Sequence, residues 1–185
     1  MASAVPKARM TVDEFLVWAE DRPGRYELEA GEVVAMAPER TRHLVAKGDA
    51  YLALRRSVER ARVPCFALPD GATVRIDRHT SFEPDALVYY GPRLPDDAIE
   101  VPEPVIVVEI LSPSTAHRDI GAKLAGYFRL PSVRHYLIVD PDRRLLIHQA
   151  RGEGDLLATR IVSEGPLVLR PPGIELDMGE LFATA

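Results

Sequence analysis

The chain has 185 residues, 46% hydrophobic and 28% charged, which excludes whole-chain disorder and is enough to bury a sizeable core. With 28 acidic against 23 basic residues the formal charge is −5, which excludes a protein that coats nucleic acid over its whole surface but leaves room for a local basic or metal-binding site. The one cysteine, Cys65, excludes an internal disulfide and a thiolate metal centre, and no apolar run reaches the roughly 18–20 residues of a membrane span. The N-terminal MASAVPKARM lacks the apolar core of a signal peptide, so a cytoplasmic setting is expected.

Sixteen prolines cut the chain into short elements. Thr11-Val-Asp-Glu14 has the form of a capping box, and Phe15, Leu16 and Trp18 follow it, predicting a helix to Asp21 that Pro23 and Gly24 stop. Tyr26 to Met36 alternates on either side of Ala30-Gly31 and reads as a hairpin. A second helix is predicted from Thr41 or Arg42 to about Arg62, with Leu44, Val45, Tyr51, Leu52, Leu54 and Val58 near 3.6-residue spacing. Three β segments follow: Pro64–Leu68 continuing through Thr73–Ile76, then Asp85–Tyr90, then Val105–Leu111. The last is Val-Ile-Val-Val-Glu-Ile-Leu, the pattern of a central strand buried on both faces, in which Glu109 is the lone charge.

Ser112-Pro-Ser-Thr115 breaks that strand and offers a cap, and Ala116 to Leu130 reads as a third helix with Ile120, Leu124 and Phe128 on one stripe. His135–Asp140 is a further buried strand, turned by Pro141-Asp142 into Arg144–Gln149. Strands near Leu156–Val162 and Leu167–Leu169 and a short turn at Met178–Phe182 read as an edge of the sheet. The order predicts an α/β (α+β) fold with a central mixed sheet flanked by helices and a core of helix, three strands, helix, strand, αβββαβ. One domain, 1–185, is expected, with an N-terminal helix and hairpin in 1–40, a core in 41–140 and C-terminal strands in 141–185.

The chemistry concentrates on two carboxylates. Asp85 follows Pro84 at the start of one strand and Glu109 lies near the end of the next, so neighbouring strands bring them to one sheet edge. Two such acids suit a hard divalent cation such as Mg²⁺, which phosphodiester hydrolysis uses. Asp85 alone also reads as a surface turn residue, and Glu109 as a structurally paired acid, since a buried carboxylate must be paired, protonated or metal-bound. Asp119, Lys123 and Tyr127 share a face of the third helix, either as an exposed Asp–Lys pair or with Lys123 turned back to the carboxylates. Glu27 reads as a solvent-facing strand acid and His43 as a capping or surface group. Arg40, Arg42, Lys47, Arg55, Arg56, Arg60 and Arg62 make the second helix basic, either a solvated face or a track for a phosphate backbone. His148 reads as an outward-facing strand residue, and no P-loop, G-x-S-x-G or G-x-G-x-x-G occurs.

As an ordered set, Pro84-Asp85, Val-Val-Glu109-Ile-Leu-Ser-Pro-Ser-Thr, Asp119 to Lys123 and Tyr127, and Tyr136-Leu-Ile-Val-Asp140-Pro resemble the Uma-type restriction endonuclease family of the PD-(D/E)XK nuclease superfamily. The likeness extends upstream to Thr11–Phe15, Tyr26-Glu27-Leu through Gly31-Glu32, and His43. It implies a restriction-endonuclease-like fold and a metal-dependent DNA endonuclease, with Asp85 and Glu109 as ligands of Mg²⁺ or Mn²⁺, Glu27 as a further acid, and a homodimer to cut both strands. The chain departs from the superfamily at Leu111, where the motif carries lysine; Lys123, from the neighbouring helix, is the expected substitute. Were Lys123 to point elsewhere, the fold would instead be that of an inactive nuclease-like module that binds nucleic acid or assembles.

Overall fold

The computed structural model describes residues 9–111 and 120–184. Helix α1 (Val12–Glu20) opens on the expected capping box: the Glu14 N–H donates to the Thr11 hydroxyl at 3.3 Å, and the Thr11 N–H donates to the Glu14 carboxylate at 2.8 Å. Strands β1 (Tyr26–Glu29) and β2 (Glu32–Ala35) form the hairpin. Ala30 (φ 48°) and Gly31 (φ 84°) both adopt the left-handed region that a two-residue turn between twisted strands needs. Helix α2 (Thr41–Ala61) buries Ala46, Ala50, Ala53, Leu54 and Val58 along one stripe.

After α2 the sequence reading needs correction. Pro64–Leu68 and Thr73–Ile76 do not form one strand. The chain turns at Asp70-Gly71, with Gly71 at φ +96°, and leaves β3 (Cys65–Pro69) for a different sheet. There β4 (Val74–Asp77) pairs with β5 (Thr80–Phe82), which was not foreseen, and β5 pairs with β1. The resulting four-stranded sheet has the order β2-β1-β5-β4.

The chain then returns to the main sheet through β6 (Ala86–Tyr90) and β7 (Pro104–Ile110). Helix α3 (Ile120–Tyr127) leads to β8 (His135–Asp140), β9 (Leu145–Arg151) and β10 (Leu157–Val162). The six-stranded sheet has the order β10-β9-β8-β7-β6-β3; it is mixed, with β7 and β8 parallel and the other neighbours antiparallel. The Ser112–Thr115 cap, the expected start of the third helix and Asp119 lie outside the described residues. A parallel pair requires a crossover, and α3 lies on the chain between β7 and β8.

The C-terminal residues are not an edge of this sheet beyond β10. Strands β11 (Pro166–Leu169) and β12 (Ile174–Asp177) form their own two-stranded sheet, followed by α4 (Met178–Leu181). The reason is apolar: Leu167, Leu169, Ile174, Leu176 and Leu181 join the α2 stripe and Ile106, Val108 and Leu137 in one cluster. On the opposite face Val107, Tyr136 and Ile138 pack with Val74, Phe82 and Tyr127. The sheet is thus covered on both sides, which is why β7 and β8 read as near-continuous apolar runs. No described helix is long and apolar enough to cross a membrane.

Candidate active site

The two large sheets meet where the chain passes from β5 to β6, at Glu83-Pro84-Asp85. The antiparallel register pairs Ala86 with Val108, which brings Asp85 beside the end of β7 where Glu109 lies. The Asp85 N–H donates to the Val108 carbonyl at 2.9 Å, and Asp85 Oδ2 accepts the Ile110 N–H at 2.6 Å. Strand β1 is bonded to β5 and carries Glu27 to the same point, where its Oε1 accepts the Glu83 N–H at 2.8 Å. Glu27 is only 5% exposed and does not face solvent; the β5–β6 link and helix α3 cover the face that alternation assigns to water.

Helix α3 closes over the carboxylates. A Cβ on Gly126 would lie 2.6 Å from the Phe82 ring, so this position needs glycine for the helix to come so close to β5. Lys123 and Tyr127, one turn apart, project onto Glu109. Lys123 Nζ lies 3.0 Å from Glu27 Oε1 and 3.2 and 3.1 Å from the two Glu109 oxygens. The Tyr127 hydroxyl donates to Glu109 Oε1 at 2.7 Å. Glu27, Asp85, Glu109 and Lys123 therefore come together from three elements and the β5–β6 link, and Lys123 points inward rather than forming an exposed pair.

The electrostatics show a surplus of negative charge. Burial pushes the Glu109 carboxyl up to about 8; Lys123 opposes the shift, while Asp85 and Glu27 add to it. Burial, and then the Glu109 charge, push the Tyr127 hydroxyl well above its ordinary value. The Cys65 thiol is driven up to about 11 by burial, which leaves it inert as a nucleophile.

Helix α2 supplies a second cation that the sequence reading left on a basic outer face. Lys47 is 4% exposed and its Nζ lies 2.8 Å from Asp85 Oδ1 and 3.2 Å from Asp70 Oδ2, with Glu39 as a third partner. The clue lay in spacing: Lys47, Ala50 and Leu54 fall on one buried stripe, so this lysine occupies a core position. Arg25 joins the cluster, 2.6 Å from Asp70 and 2.9 Å from Glu83. Burial opposes it, but Lys47 and Arg25 together hold the Asp70 carboxyl below its usual value. Arg25, Glu39, Asp70 and Glu83 carry no local signal; all four sit in turns or links that only the fold brings together. His43, one turn before Lys47, is not a surface cap: its Nε2 is 3.8 Å from Asp85 Oδ2.

These donors suit a hard cation. Glu39, His43 and Asp85 each offer an atom within 4.8 Å of the others, and Glu39 Oε2 and His43 Nδ1 are buried without a hydrogen-bond partner.

The family model of Uma2, described as "Putative restriction endonuclease", matches residues 12–180, which include every one of these side chains. The chain belongs to the Uma2 family. It is 24% identical over 191 residues to slr1290 of Synechocystis sp., described as an uncharacterized protein, covering 97% of this chain and 94% of that one. It also resembles a crystal structure from Anabaena variabilis, described as a putative nuclease belonging to DUF820, with a TM-score of 0.69 at 19% identity. That match covers 94% of this chain and 98% of the other, so the Uma2 chain has the fold of that protein over nearly its whole length.

Proposed function

We propose that this Uma2 chain is a divalent-metal-dependent endonuclease that hydrolyses phosphodiester bonds of DNA. Asp85 and Glu109 hold Mg²⁺ or Mn²⁺, Lys123 serves the attacking water and the reacting phosphate, and Glu27 assists by anchoring Lys123. The observation that carries this reading is the approach of Lys123 to both oxygens of Glu109, which supports it as substitute for the lysine missing at Leu111. The alternative, an inactive nuclease-fold module that binds nucleic acid or assembles, is favoured by Leu111 in the lysine position and disfavoured by the inward-pointing Lys123.

Held by Asp85 and Glu109, Mg²⁺ or Mn²⁺ would supply Lewis acidity to a phosphoryl oxygen and the attacking water. The protein's own part is preorganisation. The Ile110 N–H and Lys47 hold the two Asp85 oxygens, and Tyr127 holds one Glu109 oxygen, so the ligands need little reorganisation when substrate arrives. The ammonium of Lys123, fixed by Glu27, offers positive charge to the phosphate oxygens as negative charge grows on them in the transition state. Lys123 is buried, so little water screens its charge.

Cutting both strands of a duplex takes two sites, and a homodimer supplies them. Strand β10 is an edge of the main sheet and leaves Ile161 69% exposed, with Leu157 beside it, a surface suited to that contact. Plasmid nicking with Mg²⁺ or Mn²⁺ tests the reading. Wild type is expected to nick, and Lys123→Met to nick about 10²–10³-fold more slowly, the usual loss when one preorganised charge is removed. Equal rates would remove Lys123 from the mechanism, and metal-independent nicking would overturn the proposal.

A further inference from the structure

Helix α2 places a buried lysine ammonium among three carboxylates beside the candidate site. Lys47 lies on the buried stripe of α2, and its ammonium has three N–H donors facing three carboxylates, Glu39, Asp70 and Asp85. Nothing in this arrangement leaves a donor for solvent. The same region contains Glu39, His43 and Asp85, whose ligand atoms lie within 4.8 Å of one another and would otherwise make a cation site of their own. Glu39 and Asp85 belong to both sets, so the ammonium and an ion compete for them.

We propose that Lys47 is the built-in second cation of this site, occupying the Glu39–His43–Asp85 position so that the protein takes one divalent ion rather than two. The inference rests on the metal-dependent reading above. Two features favour a resident lysine over an ion here. First, Lys47 already engages Glu39 and Asp85, the two carboxylates such an ion would need, while Arg25 faces the others, 2.6 Å from Asp70 and 2.9 Å from Glu83. Second, Lys47 is attached to a 21-residue helix packed into the main core, so displacing its ammonium would require burying it unpaired or moving the helix. The Glu27–Glu109 side differs, because there Lys123 arrives on a short helix and shares two carboxylates. Lys47 is thus a positioning residue. It holds Asp85 Oδ1 while the Ile110 N–H holds Oδ2, which fixes the plane of the carboxylate that receives the single ion.

The test is the stoichiometry of Mn²⁺ binding, measured with the metal alone by calorimetry and by electron paramagnetic resonance. Wild type is expected to bind one Mn²⁺ per chain. Lys47→Met is expected to bind two, the second lost again when His43→Ala is added, and Lys47→Arg to bind one. Lys47→Gln, which keeps a polar group between Glu39 and Asp85, is the second variant if Lys47→Met does not fold, and it too is expected to bind two. Two ions on wild type, or one on both neutral variants, overturn the role of Lys47 alone. No ion on wild type or on either neutral variant overturns the metal-dependent reading as well.

Discussion

Two clusters of buried polar groups sit on the same six-stranded sheet and behave in opposite ways. Around β7, Glu109 is crowded by Asp85 and Glu27, and burial drives its carboxyl up to about 8. On the next two strands, β8 and β9, His135 and His148 form a neutral chain. His135 Nε2 lies 2.8 Å from the Pro171 carbonyl, which only accepts, so Nε2 carries the proton and Nδ1 is the acceptor. His148 Nε2 then donates to that Nδ1 at 2.9 Å. Burial pushes both imidazoles down to about 4, with Arg134 adding to the push on His135, and His135 to that on His148. What remains unpaired is one neutral acceptor, His148 Nδ1. The histidine cluster ends without net charge, whereas the Glu109 cluster keeps a surplus of buried carboxylates.

The contrast predicts opposite pH slopes. Glu109 ionises at about 8 in the folded chain against about 4.5 unfolded, so between those values the native state binds more protons and stability falls as pH rises. The histidines titrate at about 4 folded against about 6.5 unfolded, so the unfolded state binds more protons and stability falls as pH drops through that window.

The largest expected effect comes from Glu109→Gln. It should abolish metal-dependent nicking, by at least about 10³-fold, while raising stability in metal-free urea unfolding at pH 8 by roughly 2 kcal/mol. A loss of stability at pH 8 would break the comparison. Next, His148→Gln keeps a donor for His135 but does not titrate. Unfolding midpoints at pH 7 and pH 4.5 should differ less than in wild type, by about 1–3 kcal/mol of stability, with nicking at pH 7 unchanged. An unaltered acid slope would show that the pair does not set it. The smallest effect is expected from Tyr127→Phe, which removes one hydrogen bond to Glu109. Stability should fall by about 1 kcal/mol and nicking by several-fold, read by the same two assays.

Elements whose cause is local were legible. The Thr11–Glu14 capping box, the Ala30-Gly31 turn, the long α2 and the apolar strand holding Glu109 each depend on residues a few positions apart. For the site, Asp85, Glu109, Lys123 and Glu27 were named from strand order, helix spacing and family likeness, and the fold brings these four together. Misreadings came where an assignment turned on what covers a surface. Glu27 and His148 were assigned to solvent because one alternation was visible and the second covering layer was not. By charge alone Lys47 groups with the arginines of α2, whereas its position places it on the buried stripe.

Taken alone, the amino-acid order determined the helices, most strands, the lone carboxylate in a buried strand and the sign of the overall charge, because capping, turn geometry and periodicity act within a few residues. The tertiary structure alone decided that β4 and β5 leave the main sheet for β1 and that β11–β12 fold over α2. It also alone brought Arg25, Glu39, Lys47 and Asp70 around Asp85. Those choices depend on contacts between residues far apart in the chain, where burial of apolar area and pairing of buried charge outweigh local preference.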